Sequence, residues 1–284
     1  MGVLAKVKIG VVAPASRLEQ ATADRVLALA EAGFGGRAEI VFHPQCFLSA
    51  GHFAGDDDAR ARAFLDFAND AAFAAVWFAR GGYGAGRIAE RVLAGLAPAA
   101  KDKAYLGYSD GGFLLAGLYR HGYRAVHGPI PHDIRRAGGE AAVTRALSWL
   151  LDAAPDALEP SIDGTRPVAA FNLTILSKLI GTPLMPDLTG HVLMLEDVSE
   201  HLYAIDRLMV HLTSNAALRK VAGIRLGRVS DIPANDPPFG QTPEEIVRHW
   251  CAVAGIAWLG AADIGHDADN KVVPFGLLSH AKQG

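Results

Sequence analysis

The stretch Ala104–Gly112, AYLGYSDGG, joins a short apolar run to a serine set among glycines. Gly107-Tyr108-Ser109-Asp110-Gly111 fits G-x-S-x-G, a sharp turn between a strand and a helix that lifts a serine hydroxyl clear of the sheet. Such a turn requires an α/β chain, with a strand before Ser109 and a helix after it. The start of that helix favours developing negative charge, and the Asp110 N–H is a natural donor to an oxyanion. The plainer reading is a helix-capping serine, and among 31 glycines the pentapeptide also arises by chance.

Outward from this stretch, apolar runs recur at Val7–Ala13, Glu39–His43, Ala74–Ala79 and Arg124–His127. The segments between them are rich in Ala and Leu at 3.6-residue spacing. That alternation predicts a parallel sheet with helices on both faces, filling residues 1–152. The segment DAAPDALEPSIDGTRP follows, with Pro155, Pro160 and Pro167 and little periodicity, and residues 153–167 read as a linker between domains. A second domain, 168–284, has longer strands at His191–Val198 and Ala222–Val229 and a helix near His201–Ala216. Another helix starts at Thr242-Pro243-Glu244-Glu245, where a cap, a proline at the first position and a capping-box glutamate coincide.

At 284 residues and 50% hydrophobic content the chain can bury a large core, which excludes a disordered protein. The net charge is −3 and no Lys/Arg cluster stands out, so neither nucleic acid nor an anionic membrane is expected as a partner. Cys46 and Cys251 are too few for a disulfide framework or a cysteine zinc site, and a reducing cytoplasm fits them best. Lys6 and Lys8 interrupt the apolar N-terminal run, so it reads as a first strand and not as a signal peptide or membrane span.

In open α/β sheets ligands lie beyond the carboxyl ends of strands. Three loops there draw attention: Arg80-Gly81-Gly82-Tyr83-Gly84-Ala85-Gly86, the turn at Ser109, and Gly128-Pro129. The glycine loop lets backbone N–H groups approach a ligand, but it lacks both the dinucleotide spacing and the P-loop ending, so no cofactor is expected. Among the 11 histidines, His266 follows an apolar run on a loop that should sit at a strand end; a surface histidine is the plain alternative. Glu196 and Asp197 lie inside an apolar strand, where an unpaired charge is costly. Strand alternation lets only one of them face a cleft, and the other reading for the pair is an ion pair with a residue such as Arg207. Asp56-Asp57-Asp58 and the group Asp263, His266, Asp267 and Asp269 lack a calcium-loop or zinc-site pattern and read as solvated loops without metal.

Taken in order, these pieces resemble the LD-carboxypeptidases, cytoplasmic serine peptidases of murein recycling. The resemblance runs over nearly the whole chain: Ile9–Ser16, Arg80–Gly84, Gly107–Asp110, His127-Gly128-Pro129, Asn172-Leu173-Thr174 to Pro183, Leu195–Glu200 with Tyr203 and Ile205-Asp206-Arg207, and Gly265-His266 with Asn270 and Pro274-Phe275-Gly276. It implies a catalytic serine, glutamate and histidine at Ser109, Glu196 and His266, which selects Glu196 over Asp197. It also implies a Rossmann-like N-terminal domain, a smaller β-rich α/β C-terminal domain, a site between them and a homodimer. The expected chemistry is acyl transfer that releases terminal D-alanine from a murein tetrapeptide at an L,D-bond. The Asp110 and Gly82 N–H groups would form the oxyanion hole, and Arg80 or Arg87 would meet the substrate carboxylate. Gly111-Gly112 departs from the larger residues frequent in the family, and the chain stops soon after Pro274-Phe275-Gly276. Two alternatives accompany this reading: hydrolysis of a microcin C-type peptidyl-nucleotide, and a ligand-binding module without catalysis.

Overall fold

The structure is a computed structural model that describes residues 6–278; the outermost residues of both expected domains, 1–5 and 279–284, fall outside it. Five parallel strands form the first sheet: β1 (Val7–Val12), β2 (Ala38–Phe42), β3 (Ala75–Phe78), β4 (Ala104–Gly107) and β5 (Arg124–His127). Between and after them run α1 (Gln20–Phe34), α2 (Asp57–Asn69), α3 (Ala85–Gly95), α4 (Gly112–Arg120) and α5 (Gly139–Asp152). The strands lie within about two residues of the apolar runs. β3, central in the sheet, is buried along its whole length because helices cover both faces. Close approach of those helices fixes one glycine in β1: a Cβ on Gly10 would lie 2.4 Å from the Phe67 ring of α2.

The second sheet is parallel as well, in the order β6 (Val168–Asn172), β7 (Val192–Val198), β8 (Gly223–Ser230) and β9 (Trp258–Ala261). Helices α6 (Leu173–Leu179), α7 (Leu202–Ser214) and α8 (Pro243–Ala254) alternate with these strands. The capping box at the start of α8 forms: Thr242 Oγ1 accepts the Glu245 N–H at 3.3 Å, and the Glu245 carboxylate accepts the Thr242 N–H at 2.7 Å. The two units share one apolar core, in which Phe171 of β6 meets Phe275 at 5.1 Å between ring centroids.

The sequence concealed two strands, β6 and a short one near the C-terminus. After His266 the chain returns to the first sheet as β10 (Val273–Pro274), antiparallel to β5, so that sheet has the order β10-β5-β4-β3-β1-β2. The segment 153–167 is also more than a connection. Leu158 bridges to Val272, and the buried Glu159 accepts the Asp263 N–H at 3.0 Å, tying this segment to the loop that carries His266.

Candidate active site

Ser109 stands where the opening stretch places it, directly after β4, with φ of +59°. A left-handed conformation at a non-glycine residue costs on the order of 1 kcal/mol or more, so the surroundings must enforce it. They do so through Phe78. A Cβ on Gly107 would lie 2.3 Å from the Phe78 ring and one on Gly111 2.7 Å from it, so both glycines of the motif are needed to wrap the turn around that side chain. Gly112, the other departure, faces α6 with Ile175 3.1 Å from its Cβ position.

Glu196 and Asp197 point to opposite sides of β7. Glu196, fully buried, accepts through Oε2 from His266 Nδ1 at 2.5 Å. Asp197 accepts from Asn172 Nδ2 at 2.8 Å, from the Thr174 N–H and hydroxyl at 3.0 Å, and from the Val198 N–H at 2.8 Å, so it secures the start of α6. Arg207 pairs with neither; its guanidinium lies over the Tyr203 ring.

His266 Nε2 lies 2.9 Å from Ser109 Oγ. Because a carboxylate only accepts, Nδ1 carries the proton and Nε2 is left to accept from the serine hydroxyl. Burial pulls the His266 pKa down, but the charge and hydrogen bond of Glu196 outweigh it, and the net shift is upward. Tyr108 packs against the imidazole at 4.8 Å between ring centroids and donates its hydroxyl to the buried Asp133 at 2.8 Å. Asn270 braces the loop: its Oδ1 accepts from the Gly265 N–H at 3.2 Å and from His127 Nε2 at 3.1 Å.

Most carboxylates of the two acidic groups are also engaged while partly exposed. Arg228 pairs with both Asp263 and Asp267, Asp56 caps α2, Asp57 pairs with Arg60 and Arg87, and Asp58 pairs with Arg91. Such partners hold these carboxylates in ion pairs and a cap.

The glycine loop abuts the serine, since a Cβ on Gly81 would lie 3.0 Å from Ser109 Oγ. Gly82 follows with φ of +109°. Asp110, 3% exposed, turns its side chain away from the hydroxyl and accepts the Ala85 N–H at 2.7 Å, which caps α3 from 25 residues away. Arg60, with no exposed surface, lies beneath the loop and donates to Pro14 O at 2.5 Å and Gly84 O at 2.8 Å. Sequence reasoning missed this strut, and its only signal was an arginine amid the apolar spacing of α2. Of the two suggested carboxylate anchors, Arg87 is held by a carboxylate, whereas Arg80 gives one nitrogen to a backbone carbonyl. Arg80 donates to Arg17 O at 3.0 Å, and Arg87 grips Asp57 through two nitrogens at 2.8–3.1 Å.

Fold and site together define a class: a two-sheet α/β protein with a serine, a histidine and a glutamate in hydrogen-bonded series where the sheets meet. The LD-carboxypeptidase N-terminal domain matches residues 9–128 and the C-terminal domain residues 167–280. A Synechocystis sp. protein with a provisional carboxypeptidase name is 31% identical over 84% of this chain and 79% of its own length. The murein tetrapeptide carboxypeptidase of Pseudomonas aeruginosa is 28% identical over 71% of this chain and 70% of its own. The crystal structure of muramoyltetrapeptide carboxypeptidase from Oxalobacter formigenes superposes with a TM-score of 0.79 at 24% identity, covering 94% of this chain and 93% of that one. This chain belongs to the LD-carboxypeptidase family.

Proposed function

We propose that the protein is a serine carboxypeptidase that releases the terminal D-alanine of a murein tetrapeptide, cutting the bond between an L-centre and D-alanine. The observation that carries this reading is the series Glu196–His266–Ser109, linked at 2.5 and 2.9 Å. Ser109 Oγ attacks the scissile carbonyl carbon as its proton passes to His266 Nε2. The imidazolium so formed is stabilised by Glu196 through Nδ1–H. The Asp110 and Gly82 N–H groups meet the oxyanion, an arrangement supported by the Gly81 backbone lying against Ser109. When the tetrahedral intermediate collapses, the C–N bond breaks and the amine of D-alanine takes the proton from Nε2. Water then attacks the acyl-serine, gives a proton back to Nε2, and the shortened peptide leaves as its carboxylate while Ser109 regains its hydrogen.

The substrate assignment rests on the P. aeruginosa relative. Its test is mass spectrometry of a murein tetrapeptide incubated with pure protein: loss of one alanine by wild type and none by Ser109→Ala is expected. An intact tetrapeptide beside a cleaved peptidyl-nucleotide would move the protein to the immunity reading. A role in murein recycling in the cytoplasm, and a homodimer, go with this proposal; light scattering checks the dimer. Among the described residues no helix is long and apolar enough to cross a membrane.

A further inference from the structure

Ser109, Asp110 and Arg60 are not the glycine loop's only polar neighbours. On its far side, a Cβ on Gly82 would lie 2.3 Å from Ser16 Oγ and 3.9 Å from His52 Nε2. Ser16 is buried at the end of the β1 loop, and its N–H reaches Gly81 O at 3.4 Å. Its hydroxyl lies 3.4 Å from His52 Nε2, a long contact that leaves both groups able to turn to a third partner. His52 is exposed, with the Phe53 and Tyr83 rings at 5.5 and 6.1 Å around it.

We propose that Ser16 and His52 form the subsite for the free carboxylate of the residue that leaves. This rests on the carboxypeptidase reading above and gives the leaving residue's carboxylate a partner beside the glycine loop, where Arg87 is already paired with Asp57. Spacing supports it. Gly81 touches the serine and Gly82 touches the pair, one Cα step of about 3.8 Å further along. The carboxylate of a single departing amino acid lies about one residue's length beyond the scissile carbonyl, the same step. Chemistry supports it as well: a hydroxyl and an imidazole N–H are two donors side by side, matched to the two oxygens of a carboxylate. Only glycine at 82 leaves that approach open, because any side chain there would occupy the position of the Ser16 hydroxyl. The pair thus confines cleavage to a chain end.

The experiment compares a tetrapeptide ending in free D-alanine with the same peptide ending in D-alanine amide. Wild type should favour the acid strongly in kcat/KM. His52→Gln and Ser16→Ala should each shrink that preference about tenfold or more, through a higher KM for the acid. Calorimetry on Ser109→Ala protein gives the same comparison without turnover: it should bind the acid over the amide, and His52→Gln in that background should erase the difference. Because His52 is exposed, its variant tests the subsite even if Ser16→Ala fails to fold. An unchanged preference in both His52 variants, or its collapse in Arg80→Ala or Arg87→Ala, would overturn the assignment. If wild type binds the acid selectively yet releases no D-alanine, the parent reading fails and the subsite stands.

Discussion

Asp110 Oδ2 accepts the Ala85 N–H at 2.7 Å, so the residue next to Ser109 holds the helix that follows the glycine loop. The bond couples the proposed nucleophile to the loop proposed to hold the oxyanion. Burial raises the Asp110 pKa from 3.8 to about 6, against the opposing pull of the Ala85 N–H and Arg60. Its folded pKa exceeds its unfolded one, so stability is greatest where both states are protonated and falls as pH rises from about 4 to 6. Above that window the ionised carboxylate costs the fold about 3 kcal/mol. Asp110→Asn keeps an oxygen acceptor without the charge. It should raise Tm at pH 7.5, with the gain vanishing near pH 4, while Asp110→Ala should lower kcat about tenfold or more. Thermal melts at the two pH values and single-turnover rates check both.

In the proposed reaction the Glu196–His266 pair should set the pH dependence. The net shift of His266 is upward, and it must be neutral at Nε2 to accept the serine proton. The kcat/KM profile should therefore rise with pH through a midpoint above 6.5, the ordinary histidine value. Glu196→Gln removes the charge that raises the imidazole and leaves the burial that lowers it, so the midpoint should move below 6.5 and kcat should fall by about 10² or more. A midpoint that stays put would remove Glu196 from the mechanism.

Adjacent carboxylates on β7 should part company under mutation. Asp197→Ala removes the acceptor that Asn172, Thr174 and Val198 share, and should cost about 1–3 kcal/mol of stability. Whatever of the variant remains folded should turn over at near wild-type kcat. Glu196→Ala should show the reverse emphasis, with kcat down by about 10³ or more. Denaturant unfolding set beside kcat for the two variants gives the comparison.

The strands were legible in the sequence where a continuous apolar run marks a strand buried on both faces, as in β3 and β4. β10 was not, because Val273–Pro274 is too short to show periodicity and its proline sits where an edge position tolerates it. Strand alternation stated that Glu196 and Asp197 face opposite ways but not which faces the cleft; the chain-wide resemblance made that choice. Ser109 and His266 are 157 residues apart, a closure that no local pattern encodes. The same limit hid the Asp110 cap on α3, the Arg60 strut and the Ser16–His52 pair, each a contact between segments distant in sequence. Arg80 and Arg87 attracted notice as cations beside a glycine loop, yet the carboxylate that holds Arg87 lies on α2.

The wall beside the Ser109 hydroxyl is backbone. Gly81 lies so close that a Cβ there would stand 3.0 Å from Oγ, and the loop behind it is held by Arg60 at Gly84 O and by Asp110 at the Ala85 N–H. Such a wall cannot rotate aside as a side chain can. Inverting the acyl-side centre of a substrate swings its side chain to the other side of the scissile carbonyl, and a rigid wall turns that change into misplacement of the reacting carbon. A shift of about 1 Å there can cost about 10² in rate. A tetrapeptide ending in L-centre–D-alanine should therefore release D-alanine at least about 10²-fold faster than a pentapeptide ending in D-alanyl-D-alanine. D-alanine release from the two peptides, measured side by side, decides the point. Equal rates would remove the L,D-preference, and a faster pentapeptide would place the acyl-side group on the opposite side of the cleft.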